Sequence, residues 1–192
     1  MTYTKISIPK RPGGGAAVPK RDIINIYDAN DIAVDAVRHL GETVVSSDIV
    51  LAGGASGLFI QADRPSIIAG YENSGDVDAK VFADKVEFDY PGDTTALNNF
   101  IEAFANRGVL IIVQSCDAPT KIYGRKCNPL FLSAEPTDSK DAQRSHLVFS
   151  QEFGDRYLPR VYTGIIPAVL EESLITWRSE ALWDGDEEWI SR

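Results

Sequence analysis

The sequence is short of the residues on which most enzyme chemistry depends. Among 192 residues there are two cysteines, two histidines and one methionine. Two cysteines cannot build a disulfide scaffold. Cys116 and Cys127 lie across a predicted hairpin. With a turn near Ala118-Pro119, Cys116 faces Lys121 and not Cys127. The pair therefore reads as two unpaired structural thiols in a reducing compartment, the alternative being a disulfide that locks the hairpin. Neither His39 nor His146 stands at metal-ligand spacing from a second His, a Cys or a carboxylate. No local signature couples either thiol to a histidine for nucleophilic catalysis. The run Asp28, Asp31, Asp35 lacks the central glycine and terminal glutamate of a calcium loop. The glycine-rich stretch Ala52–Gly57 has no lysine after it, so it is no phosphate cradle, and neither G-x-G-x-x-G nor G-x-S-x-G occurs. These absences predict no catalytic, cofactor-binding or metal-ligating residues, and a chain that is not an enzyme.

Long apolar runs are also missing. Every candidate stretch is broken by charge within ten residues, so no membrane insertion is expected. Met1–Ile6 lacks the apolar stretch of a secretory signal, which predicts folding in a cytoplasm. Positive charge is scarce as well: 19 basic against 28 acidic residues leave a formal net charge of −9. Tight nucleic-acid binders neutralise phosphates with Lys and Arg, so this chain is a poor gripper of nucleic acid. Tolerating DNA that passes by is a different requirement, and an acidic protein meets it.

What is present is strand pattern with one clear helix. Residues 1–22 read as an N-terminal arm, because Pro9, Pro12, Pro19 and Gly13-Gly14-Gly15 resist regular structure. The arm is either a tail without fixed structure or a segment that orders against an acidic neighbouring subunit through its basic residues. Asp22–Asp28 and Thr43–Leu51 read as strands, Ile32–Leu40 is ambiguous, and Ser66–Glu72 is a further strand before a turn at Asn73–Asp76. In Ala79–Tyr90, Phe82, Val86, Phe88 and Tyr90 share one face and Lys85, Glu87 and Asp89 the other, the pattern of a half-buried antiparallel strand. Val109–Val113 is apolar on both faces and reads as a central strand. A hairpin over Asp117–Gly124, a strand at Leu130–Ala134, a polar loop at Thr137–Gln143 and a strand at Ser145–Phe153 follow. The last of these carries Leu147, Phe149 and Phe153 on one face.

The helix is predicted over Thr94–Arg107. Asp93 or Thr94 caps its start, and Leu97, Phe100, Ile101 and Phe104 form one stripe at i, i+3, i+4 and i+7. Gly108 stands where a left-handed C-terminal residue is wanted. Burying four such side chains contributes roughly 6–12 kcal/mol. Ordering the backbone costs about 1–2 kcal/mol per residue, so the helix must dock on a sheet. The organisation expected is therefore an arm (1–22), an antiparallel β-sandwich or open barrel with one flanking helix (23–164) and a C-terminal extension (165–192). In the extension, Trp177, Trp183 and Trp189 either anchor it on the domain or dock on another subunit.

From Lys85 to Phe153 the order is an alternating strand, a capped helix, a strong strand, the hairpin, Asn128-Pro129-Leu130, a polar loop and a final alternating strand. This order is similar to that of the tail tube (major tail) proteins of tailed bacteriophages, especially divergent ones, and covers about a third of the chain. The resemblance implies a homo-oligomer of hexameric rings that stack into a tube in the virion tail. Other tail proteins would be its partners, and DNA only a transient passing cargo. Contacts between rings would come from the Pro9–Arg21 arm, the Ala52–Gly57 loop and the tryptophan-bearing extension. An acidic lumen would let DNA slide, with Glu87 and Asp89 as candidate lining. The same features suit a tail terminator, a head–tail connector or a capsid-decorating protein. A cytoplasmic ligand-binding β module is the reading outside the virion, and it predicts a deep apolar pocket.

Overall fold

The computed structural model of the chain describes residues 18–36, 38, 42–76, 78–138 and 143–170. In chain order these form β1 (Lys20–Asp28), β2 (Ile32–Val34), β3 (Val44–Val45), β4 (Val50–Leu51), β5 (Leu58–Gln61), β6 (Ile68–Ser74), β7 (Val81–Pro91), α1 (Thr95–Phe104), β8 (Val109–Ser115), β9 (Lys121–Tyr123), β10 (Leu130–Asp138), β11 (Gln143–Gln151) and β12 (Arg160–Tyr162). Short 3-10 turns at Ala29–Asp31 and Arg64–Ser66 complete them. The chain is mostly β with a single helix among the described residues, and all strands but β2 and β4 join one large mixed sheet.

The apolar run of β8 sets the layout. On one side β8 pairs with β1, and on the other with β9 and, at Val109, with Leu130 of β10. Its odd residues Val109, Ile111 and Val113 enter one apolar cluster, together with Ile24, Ile26, Val86, Phe88, Leu130, Leu147 and Phe149. Its even residues Leu110 and Ile112 enter a second cluster, with Tyr27, Ile32, Val45, Ile49, Ile122 and Tyr162. A strand covered on both faces has no polar face to show, which is why its sequence does not alternate. The first cluster is roofed by α1 and by the inner faces of β7, β10 and β11. The second is covered by the segment between β1 and β4 and by the chain after β12.

Beyond β10 the sheet continues as β10-β11-β7-β6, all antiparallel, and ends at β6. At the other end β12 pairs in parallel with β3, which makes the sheet mixed. No strand pairing closes this sheet into a barrel among the described residues.

Several boundaries depart from the sequence reading. Thr43–Leu51 is two short strands: β3 pairs with β12 and β4 with β2, and Ser46–Ile49 turns the chain between them. The expected turn at Asn73 begins only after Ser74, where Gly75 takes a positive φ of 89°. The polar loop expected over Thr137–Gln143 is shorter, because β10 and β11 pair out to Asp138 and Gln143. The register there holds because the polar residues lie at its solvent-facing end. Phe153 lies beyond β11 and is exposed, away from the face of Leu147 and Phe149.

The helix begins as expected. Thr94 Oγ1 accepts from Leu97 N–H at 3.2 Å, and Asp93 Oδ1 accepts from the Asn98 side-chain amide at 2.7 Å. Leu97 is buried. Phe100, Ile101 and Phe104 are only half-buried on the first cluster, with the Phe100 and Phe104 rings stacked at 4.7 Å. Helical structure stops at Phe104, and Gly108 is not in the left-handed region. What Gly108 supplies is space: a Cβ there would overlap the Pro129 ring.

Candidate functional site

Two aspartates of the Asp28, Asp31, Asp35 run have structural partners. Asp28 caps the 3-10 turn by accepting from Asn30 N–H at 2.8 Å and pairs with Arg107 at 3.2 Å. Asp35 pairs with Arg160 at 2.9 Å. The aspartate run thus splits among separate partners and offers no shared ligand set. Among the described residues no group of three or more His, Cys, Asp or Glu is arranged to hold a metal ion. Cys116 and Cys127 are free and exposed. The hairpin register sets Val113, not Cys116, opposite Lys121, and Cys116 N–H instead donates to Pro19 C=O at 2.9 Å. His39, the extension beyond Leu170 with its three tryptophans, and most of the arm lie outside the described residues.

Glu87 and Asp89 are not bare carboxylates. Lys85 Nζ lies 3.3 Å from Glu87 and 3.2 Å from Glu72. Asp89 meets Arg144 at 3.3 Å and His146 Nδ1 at 2.6 Å. By register the outer face of β6-β7-β11-β10 carries Glu72, Glu87, Asp89 and Glu135 against Lys85 and Arg144. No described element packs over this face, so it stays net negative, but through a paired network.

The most unusual chemistry lies where the two apolar clusters meet. Period two puts Asp84 on the inner face of β7, between Phe82 and Val86, and it is only 7% exposed. Asp84 Oδ2 accepts from Gly124 N–H at 2.8 Å, and its own N–H donates to Gln151 Oε1 at 2.8 Å. Arg160, 3% exposed, donates to Gly124 C=O at 2.7 Å, Ala36 C=O at 2.8 Å and Asp35 at 2.9 Å. Arg125 pairs with Asp155 at 2.9 Å, and Arg125 and Arg38 both lie against the Tyr157 ring, 4.6 and 4.7 Å from its centre. Gly124 holds the hub with a φ of 78°, and a Cβ there would press on Val109 C=O and the Leu130 side chain. Three carboxylates therefore face three guanidinium groups.

Balance of charge does not remove the cost of burial. Burial pushes the Asp84 carboxyl up to about 6, against the Gly124 N–H and the Arg160 and Arg125 guanidinium groups, which pull it down. Asp84 Oδ1 and Arg125 Nη2 are buried without a hydrogen-bond partner. Burial, followed by the Asp84 charge, raises the neighbouring Tyr123 hydroxyl. Sequence reasoning missed this cluster, although an aspartate in the apolar register of an alternating strand was the available signal.

Two other features bear on partners. An open cleft of about 540 Å³ is lined by Val18, Pro19, Lys20, Arg64, Pro65 and Ile67, and Lys20 Nζ donates to Ile67 C=O there at 2.7 Å. Beside it, β6 leaves one backbone edge unpaired among the described residues, with Ile68 and Tyr71 exposed. No family model, no curated protein and no solved structure matches this chain.

Proposed function

We propose that this chain is a self-assembling structural subunit, a virion tail tube protein whose hexameric rings stack into a conduit for DNA. The observation that carries the reading is the open edge of β6. Seven residues pair with β7 in unbroken register, yet the outer edge has no Lys, no Pro and no bulge. Monomeric proteins blunt such edges, because an unpaired row of N–H and C=O groups recruits another strand. A sheet continued from subunit to subunit satisfies that row, and the sandwich-like roll of one subunit becomes one sector of a ring. The resemblance over Lys85–Phe153 supports the same reading. So does the outer face of β6-β7-β11-β10, whose excess of carboxylates repels phosphates weakly and traps none. The buried ionic cluster acts here as a lock: Asp84, Arg125 and Arg160 tie β7, the β9–β10 turn, the β11–β12 connection and the start of β12 together.

A tail terminator, a connector or a decorating protein would use the same edge in a single ring or coat. Electron microscopy of the purified chain separates these outcomes. Stacked rings or tubes are expected. Isolated rings favour the terminator or connector, and a species that stays monomeric at high concentration removes the reading.

A further inference from the structure

The layer that covers the second apolar cluster exposes several large apolar side chains among its polar ones. β2 and β4 set Val34 opposite Val50, and these two side chains are 50% and 49% exposed. Ile165, 75% exposed, is held beside them, because its N–H donates at 2.8 Å to Asp48, two residues before Val50. Leu170, 63% exposed, is tied to the loop that leaves β4 by its N–H bond to Gly57 C=O at 2.7 Å. Solvent-facing positions of a thin covering layer are ordinarily polar. Here four exposed large aliphatic residues are each part of the segment Asp48–Gly57 or tied to it by backbone pairing or hydrogen bonds.

We propose that residues 171–192 of the same chain dock on this Val34–Val50–Ile165–Leu170 band through their tryptophans. The segment starts where the band ends, at Leu170. Seven residues of extended chain span roughly 23–25 Å, enough to carry Trp177 across two short strands. Its composition matches what the band lacks: Leu174, Ile175, Trp177, Leu182, Trp183, Trp189 and Ile190 supply apolar surface. One cation stands at the rim beside the carboxylates of Asp35 and Asp48, so the docking rests on apolar contact and not on charge. That cation is Lys126, exposed, whose backbone N–H donates to Asp35 at 3.2 Å and whose Nζ donates to Ile32 C=O, two residues from Val34. Large aromatics in an apolar centre with charge at the rim is the usual build of a stable contact. This docking does not depend on ring assembly.

The chain carries its own probe, since its three tryptophans all lie in 171–192. In the full chain, tryptophan emission is expected at the wavelength of a buried indole and protected from acrylamide. Val34→Glu with Val50→Glu is expected to shift emission to that of water-exposed indole and restore quenching. Ile68→Glu on β6 is expected to change neither. Both valines are half-exposed, so the fold should survive; if circular dichroism is lost, Val34→Ser with Val50→Ser is read instead. Wild-type emission already at the exposed wavelength overturns the proposal, as does a band variant whose emission does not move. Co-expression with chains whose tryptophans are all phenylalanine identifies the donor. Tryptophans of the band variant should remain exposed; if they regain protection, the segment docks on a second copy, and the same-chain assignment is wrong.

Discussion

Strand β7 passes through two regions that differ in kind. At Val86 and Phe88 its inner face meets only apolar groups, with Phe88 stacked on Phe149 at 5.8 Å and both rings fully buried. One register step away, at Asp84, the same face meets the Gly124 amide and the Arg125 and Arg160 guanidinium groups. Backbone geometry is the same at both sites. The apolar region gains from every atom removed from water and demands no partner of particular shape. The ionic region gains only where each desolvated charge finds its partner, and it leaves Asp84 Oδ1 and Arg125 Nη2 without one. The first region supplies stability, and the second fixes which segments meet.

Matched truncations break the comparison most strongly. Phe88→Ala should cost about 3–5 kcal/mol in chemical denaturation, with little dependence on pH. Arg160→Leu should cost a similar 3–5 kcal/mol, because Asp35 and the Gly124 and Ala36 carbonyls lose their buried donor. Limited proteolysis should then separate them, with Arg160→Leu opening the β11–β12 connection first.

A smaller effect sharpens the contrast through pH. Asp84 titrates at about 6 in the fold, against an ordinary value of 3.8. The folded state therefore binds more protons than the unfolded chain between those values. Its contribution to stability is fullest below about pH 4 and is lost as pH rises through 6, a change on the order of 3 kcal/mol. Asp84→Asn should flatten the stability–pH curve between 4 and 6 relative to wild type, and raise stability at pH 7.5. A variant curve parallel to wild type through that window would mean that Asp84 is not desolvated. The smallest effect belongs to the helix end, where Thr94→Ala should cost about 1 kcal/mol by removing the Leu97 N–H acceptor.

Local pattern made much of this fold legible. The doubly apolar Val109–Val113, the alternation of Ala79–Tyr90 and the Thr94 cap each lie within a few residues of sequence, and each appears in place. Features set by distant partners were not legible. Val44-Val45 and Val50-Leu51 look like one strand until β12 and β2 claim them separately. Gly108 resembles a helix terminator, but its need is set by Pro129, twenty-one residues on. The ionic cluster draws on residues from Asp35 to Arg160, and its one local sign, Asp84 out of place in an apolar register, went unread.

The central claim is that the open β6 edge drives assembly. Sedimentation velocity of the wild-type chain beside Ile68→Lys with Asn73→Lys tests it, since lysines on an edge strand block strand addition. Wild type should sediment as hexameric rings or longer stacks, and the lysine variant as a folded monomer with unchanged circular dichroism. A wild-type monomer at every concentration, or lysine-variant rings as abundant as wild type, would contradict the account.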